Sequence, residues 1–227
     1  MKLLLTNDDG IDAPGIAALE AAVDGEIYVA APHEQRSECG HQVTTREPIG
    51  IERRGEKTVA VKGTPADCVR LALRGGVFGD VPFDWILSGI NEGGNLGVDI
   101  HISGTVAAAR EATILGSRAI AFSHYRRANL SIDWELAGKR VERVFAALQS
   151  RKLESKSFWN VNLPHGSKAS EPGHMFCVPC RNPLPVRFQL PDGDYHYSGV
   201  YADRKGEPQS DVTWCFGGDI AISTIAL

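Results

Sequence analysis

An excess of basic residues, a long apolar run and a dense set of cysteines are all missing from these 227 residues, and each absence removes a class of function. Twenty-four Lys and Arg against 28 Asp and Glu leave a formal net charge of −4, so nothing provides the basic footprint that a nucleic-acid duplex requires. An anionic substrate must therefore be held by a local device. No uninterrupted apolar stretch approaches the roughly 20 residues of a membrane span. The opening Met1–Thr6 run reaches Asp8 and Asp9 too soon for a secretion signal. The five cysteines, Cys39, Cys68, Cys177, Cys180 and Cys215, are odd in number and scattered, which reads as reduced thiols in a soluble, cytoplasmic protein. Apolar residues at 43% and charged residues at 23% are ordinary globular usage, enough for a core without staples.

What is present is an alternation of strand and helix patterns. Lys2 to Thr6 reads as a strand that ends in Asn7-Asp8-Asp9-Gly10. Ala13 to Val23 has helical spacing through Ile16, Leu19 and Val23, and Ile27 to Ala31 reads as a second strand stopped by Pro32. His33 to His41 is a polar loop, and Val43 to Ile51 and Thr58 to Val61 look extended, with Gly55 between them. Thr64-Pro65 opens a helix with an N-cap and a first-turn proline. A strand over Asp84 to Leu87, a glycine-rich loop over Ser88 to Gly104 and a helix over Thr105 to Leu115 follow. Then come a strand over Arg118 to Phe122, a helix over Ile132 to Leu148 and a strand over Phe158 to Val161.

This order predicts one α/β domain, with a Rossmann-like three-layer core and a parallel or mixed sheet over residues 1–165. Residues 166–227 are rich in Pro, Gly and Tyr and predict a hairpin extension, with Leu184 to Gly199 and Asp211 to Leu227 as strand pairs.

Ligands of open α/β sheets bind beyond the carboxyl ends of the strands. Asp8-Asp9, the Ser37 loop and Ser88-Gly89-Ile90-Asn91 all fall at such ends and can converge. Adjacent carboxylates repel unless a cation neutralises them, and an oxygen-only set of Asp, Ser and Asn suits Mg²⁺ or Mn²⁺ better than zinc. A lone Asp-Asp-Gly reads equally well as a polar turn; its place directly after an apolar strand favours ligation. The four glycines among Ser88 to Gly97 suggest a backbone anion nest, and Ser103-Gly104-Thr105 opens a helix whose N-terminus attracts phosphate. Ser103 also reads simply as an N-cap. Cys177-Val178-Pro179-Cys180 has redox spacing but no following helix signal, and His165, His174 and His196 read as loop residues. Trp134 and Trp159 read as core.

Asn7-Asp8-Asp9-Gly10-Ile11-Asp12-Ala13-Pro14-Gly15 resembles the opening signature of the SurE (survival protein E) nucleotidases. The likeness continues through Ala31-Pro32 with Arg36-Ser37, Gly63-Thr64-Pro65-Ala66-Asp67-Cys68-Val69, Ser88-Gly89-Ile90-Asn91 to Ser103-Gly104-Thr105-Val106-Ala107-Ala108, and Asn160-Val161-Asn162-Leu163-Pro164. It implies hydrolysis of nucleoside 5′- and 3′-monophosphates with one divalent metal ion per subunit, allows short polyphosphate as a substrate, and implies a homodimer or homotetramer built on the C-terminal hairpins. It carries the metal to Asp8, Asp9, Ser37 and Asn91, the catalytic role to Asp8, Asp9 and Asn91, and phosphate contact to Asn95, Ser103, Gly104 and Thr105. Departures from the family pattern are Glu38-Cys39 after Ser37, Glu111-Ala112 in place of Glu-Gly, a loosely matching Gly218–Thr224 strand, and an end at Leu227 where the family carries a helix.

The chemistry expected is metal-assisted phosphomonoester hydrolysis. A phospho-acceptor signalling domain also has an acidic pair after its first strand, but the later strand ends here offer Ser88, Asn91 and Ser123-His124 in place of its acceptor Asp and its Lys. A nucleotide-binding module without turnover is the other alternative.

Overall fold

A computed structural model describes residues 1–37, 39–127, 130–166 and 171–227. The chain runs through β1 (Lys2–Thr6), α1 (Pro14–Ala21), β2 (Glu26–Pro32), β3 (Ile51–Arg53), β4 (Thr58–Val61), α2 (Pro65–Leu73) and β5 (Trp85–Glu92). A 3₁₀ turn at Gly97–His101 leads into α3 (Gly104–Ile114), β6 (Ala119–His124), α4 (Trp134–Gln149) and β7 (Ser157–Leu163). Then come β8 (His174–Phe176), β9 (Phe188–Gln189), β10 (His196–Tyr197), α5 (Asp211–Phe216) and β11 (Ile220–Ala226).

Leu3, Leu4 and Leu5 can follow one another because β1 is central, with helices over both of its faces. Alternation sends Leu3 and Leu5 into the core with Ile16 and Leu19 of α1 and Val141, Val144 and Phe145 of α4. Leu4 points the other way, towards Cys68 and Val69 of α2 and Val106 and Ala109 of α3. The result is three layers. The small side chains of α3 let it lie close over β5 and β6, while α4 buries a single apolar face. Side chains start the helices: Thr64 and Asp67 form a capping box on α2, and Ser103 and Asp133 cap α3 and α4.

Nine strands form one sheet in the order β3-β4-β2-β1-β5-β6-β7-β11-β8. The run from β4 to β7 is parallel, β3 is antiparallel to β4, and β11 is antiparallel to β7 and carries β8 beside it. Strand order reverses between β1 and β5, so their carboxyl ends open the crevice where this architecture binds ligands.

Several sequence expectations need correction. Ser88 to Glu92 are not loop: β5 continues through them, pairing Asn91 with Ser123 and Glu92 with His124 after a register shift. Gly89 makes this possible, with φ of +139° and space so tight that a Cβ would lie 2.2 Å from the Phe122 carbonyl oxygen. Of Val43 to Ile51, only Ile51 enters a strand. Asp211 to Leu227 is no hairpin. Ser210 caps the helix Asp211–Phe216 by accepting from Thr213 N, and the following strand joins the main sheet against β7. His174 and His196 lie in strands, not loops. The expected pair over Leu184 to Gly199 is present as a two-stranded ribbon of β9 and β10. Among the described residues, no helix is long and apolar enough to cross a membrane.

Candidate active site

At the crevice, β1 delivers Asp8 and Asp9 with no intervening residues beyond Asn7, whose side chain donates to Gly10 O and closes the turn (2.7 Å). The two carboxylates face different neighbours. Asp9 Oδ2 accepts from Glu92 N across the gap to β5 (2.9 Å). Asp8, 4% exposed, accepts a short bond from the Thr105 hydroxyl, so it sits on the N-terminal turn of α3. Gly104 is required there: a Cβ would lie 2.9 Å from Asp8 Cβ and Oδ2 and 3.1 Å from Cys39 Sγ. Gly104→Ala is therefore expected to cost about 1–3 kcal/mol of stability by overpacking and to displace Asp8. Urea unfolding with parallel turnover measurements checks this, and a variant as stable and active as the parent would remove the contact from the argument.

The loop after β2 is brought in by its backbone, Arg36 N donating to Asp8 O (2.7 Å). This places Ser37 beside the acidic pair, exposed, with its hydroxyl accepting from Gln35 Nε2 (2.9 Å). Glu38 lies outside the described residues. Cys39, half-buried, packs against Gly104. Asn91 is half-buried and its amide nitrogen donates to Gly93 O (2.8 Å), which leaves its oxygen as an acceptor at the crevice. Asp8, Asp9 and Asn91 thus stand at the carboxyl ends of the adjacent strands β1 and β5, and Ser37 follows Arg36, whose N–H holds the Asp8 backbone.

The residues expected at the phosphate are each held by protein partners. Asn95 is buried and held by two asparagines of β7: Asn160 and Asn162 both donate to Asn95 O (2.9 and 3.0 Å), and Asn162 Oδ1 accepts from Asn95 N (2.8 Å). Its own side-chain amide donates to Ser123 Oγ (2.7 Å). Ser103 Oγ caps α3 by accepting from Val106 N (3.1 Å), and Thr105 bonds Asp8 through both hydroxyl and backbone. The anion nest expected over Ser88 to Gly97 does not form. The N–H groups of Glu92, Gly93, Asn95, Leu96 and Gly97 donate to Asp9, His124 O, Asn162, Asp99 and Asp211 respectively, so protein acceptors already hold them.

The residues that shape this segment left no pattern in the sequence. Asp211 Oδ2 accepts from Gly97 N (2.6 Å) and its Oδ1 from Cys180 N (2.8 Å). Arg204, buried, bonds Asp99 (2.6 Å) and Leu96 O (3.1 Å), and Tyr201 OH donates to the same Asp99 oxygen (2.5 Å). Only Asn160 and Asn162 carried a usable signal, since spacing of two on a strand puts both on one face.

Electrostatics single out the pair. Burial, and then the neighbouring Asp9, push the Asp8 carboxyl up to about 6 against the pull of its Thr105 bonds. Burial also raises Asp9, with the Glu92 carboxylate adding and the Glu92 N–H opposing. Among the described residues no Lys or Arg is a cause of either shift. Burial first, and Asp8 second, raise the Cys39 thiol, so this cysteine is a poor nucleophile. A buried and a half-buried carboxylate, with no protein counter-charge among the described residues, beside the amide oxygen of Asn91, fit a hard divalent cation. Among the described residues no group of three or more His, Cys, Asp or Glu is placed to hold a metal, so the neutral oxygens of Asn91 and Ser37 are needed to complete the set.

Comparison with known proteins is consistent across sequence and structure. The family described as Survival protein SurE matches residues 3–183. A protein of Nostoc sp., whose name proposes 5′-nucleotidase activity, is 52% identical over 227 residues, 99% of each chain. The 5′-nucleotidase SurE of Rhodospirillum rubrum is 40% identical over 169 residues, covering 72% of this chain and 64% of its own. The crystal structure of the SurE protein from Aquifex aeolicus superposes with a TM-score of 0.87 at 31% identity, covering all of this chain and 93% of that one. Tyr201, Arg204 and Asp211 lie beyond the residues matched to the family.

Proposed function

Because this chain belongs to the SurE family, we propose that it hydrolyses nucleoside 5′-monophosphates, and 3′-monophosphates, to nucleoside and phosphate with one Mg²⁺ or Mn²⁺ per subunit. The observation that carries this reading is the Asp8-Asp9 pair at the β1/β5 switch point, Asp8 buried and Asp9 half-buried, with no protein cation among the described residues. Asp8, Asp9, Asn91 and Ser37 would hold the ion. Bound there, it supplies a Lewis acid for a phosphoryl oxygen and acidifies a water.

The chain's own residues position the rest. Thr105 orients Asp8 by donating to it, and the Glu92 N–H orients Asp9. Asp9 would be the carboxylate that takes a proton from the attacking water, a reading supported by its being less buried than Asp8. Asn95, locked by Asn160 and Asn162, and the Ser103-Gly104-Thr105 turn at the positive end of α3 would bind the phosphoryl oxygens that gather charge. The decisive assay is phosphate release from adenosine 5′- and 3′-monophosphates. Turnover is expected with Mn²⁺ or Mg²⁺ and none in EDTA; release that persists in EDTA would overturn the metal set.

The same reading extends to short polyphosphate as a competing substrate and to a cytoplasmic location, supported by five unpaired thiols. The apolar ribbon of β9 and β10, where Phe188, Tyr195 and Tyr197 are exposed, supports self-association as a homodimer or homotetramer. Sedimentation of the purified chain decides it, a monomer at micromolar concentration being the contrary result.

A further inference from the structure

Two cavities lie near the strand ends, only one of them reaching Asp9, and their chemistry differs. One of about 350 Å³ lies on the Ser37 side, lined by hydroxyls and by the cations Arg36 and Lys62. The other, about 360 Å³, starts at Asp9 and runs between the Gly10–Gly15 turn and the half-buried ring of Trp134. Its rim is acidic, but every rim acid other than Asp9 already holds a cation: Asp12 pairs with Arg54, Glu34 with Arg36 and Glu92 with Arg126. Each pair uses one carboxylate oxygen, so the second remains a hydrogen-bond acceptor on the rim.

Such a cavity suits the neutral end of a nucleotide and repels the anionic end. The described residues lining it present carboxylates and no unpaired Lys or Arg, so a phosphate has no reason to enter it. It presents an indole, which stacks on any base, and acceptors that match exocyclic amino groups. Trp134 is fixed for that purpose. It follows the Asp133 cap at the start of α4, its edge meets Gly15, where a Cβ would lie 3.2 Å from Cζ3, and its ring lies 6.4 Å from that of His124. The sequence places this tryptophan among apolar neighbours, and part of its ring is indeed packed on the core. The remainder faces the cavity.

We infer that the cavity between Asp9 and Trp134 is the nucleobase subsite, with Trp134 carrying an amino-bearing purine. The inference rests on the nucleotidase reading for the placement of the phosphate, and it makes Trp134 a specificity-determining residue for that substrate. The subsite lies on the α1 and α4 side of the sheet edge, whereas Thr105 and Ser37 lie on the other side of the acidic pair. A nucleotide would therefore straddle Asp8-Asp9, with base and phosphate on opposite sides.

The test compares the parent with Trp134→Phe and Trp134→Ala on two substrates, adenosine 5′-monophosphate and ribose 5-phosphate, with Mn²⁺ present. Trp134→Ala is expected to lower kcat/KM for the nucleotide about tenfold more than for the sugar phosphate, mainly through KM, while Trp134→Phe keeps most of the discrimination. Adenosine alone should quench tryptophan fluorescence in the parent and not in Trp134→Phe. Equal losses on both substrates, or quenching that survives in Trp134→Phe, would overturn the subsite. Failure of the parent to hydrolyse either substrate would instead count against the nucleotidase reading, and the adenosine titration would still decide the subsite.

Discussion

Asp8→Asn is expected to lower metal-dependent phosphate release from nucleoside monophosphates by about a thousandfold or more and, in the same protein, to raise the unfolding temperature. The activity loss follows from removing one of two charges that hold the cation, an effect worth several kcal/mol at a site excluded from water. The stability gain follows from burial. Asp8 is almost fully buried and its carboxyl is pushed up to about 6 from the ordinary 3.8. A carboxylate raised in the folded state stabilises the fold only while protonated. Its contribution is complete below about pH 3.8 and is lost as pH rises through about 6.

A rise of that size corresponds to roughly 2–3 kcal/mol at neutral pH. Asn carries no charge to desolvate, and its oxygen can still accept from Thr105. In EDTA, the variant should therefore melt several degrees above the parent at pH 7.5, with the gap shrinking at pH 5. Added Mn²⁺ should stabilise the parent far more than the variant, since binding to the folded state alone shifts stability by mass action. A variant that turns over normally, or melts below the parent at pH 7.5 without metal, would overturn the assignment of Asp8.

The acidic pair was legible because two signals coincide at one place, an apolar run ending abruptly and two carboxylates with nothing between. The layers were legible for a similar reason, since the continuous apolar run of β1 and the three-to-four spacing in α1 and α4 are set locally. β5 was cut short because Ser88-Gly89-Ile90-Asn91 has the composition of a loop, whereas pairing with Ser123 and His124 of β6 decides its path. The nest failed for a related reason. Glycines expose N–H groups only if nothing else accepts from them, and here the acceptors are Asp99, Asn162 and Asp211. The helix at Asp211–Phe216 is short, its Ser210 cap is a single residue, and no periodic face announces it. A helix pattern gives Trp134 its apolar company but not the cavity at the strand ends, so the sequence alone makes it a core residue.

The second large effect is expected at Arg204. Its guanidinium is 1% exposed and bonds Asp99, 7% exposed, at 2.6 Å, while Tyr201 OH donates to the same oxygen. Asp99 in turn accepts from Leu96 N (3.2 Å), and Arg204 reaches Leu96 O, so both sides of residue 96 are tied to the C-terminal segment. Burial beside Asp99 drives the Tyr201 hydroxyl far above its usual range, so it stays a donor at every working pH. Removing Arg204 leaves a buried carboxylate without its cation, which costs about 3–5 kcal/mol. Arg204→Met should thus lose that much stability, and Asp99→Asn a comparable amount, while the double variant should lose clearly less than the two losses added, because neither charge is then left unpaired. The same change frees the segment that carries Asn95, so Arg204→Met at a temperature where it remains folded should bind the product phosphate more weakly than the parent. Chemical unfolding of the three variants gives the coupling, and calorimetric titration with inorganic phosphate in the presence of Mn²⁺ gives the positioning effect. Additive losses in the double variant, or unchanged phosphate affinity in Arg204→Met, would reduce this ion pair to an ordinary structural contact.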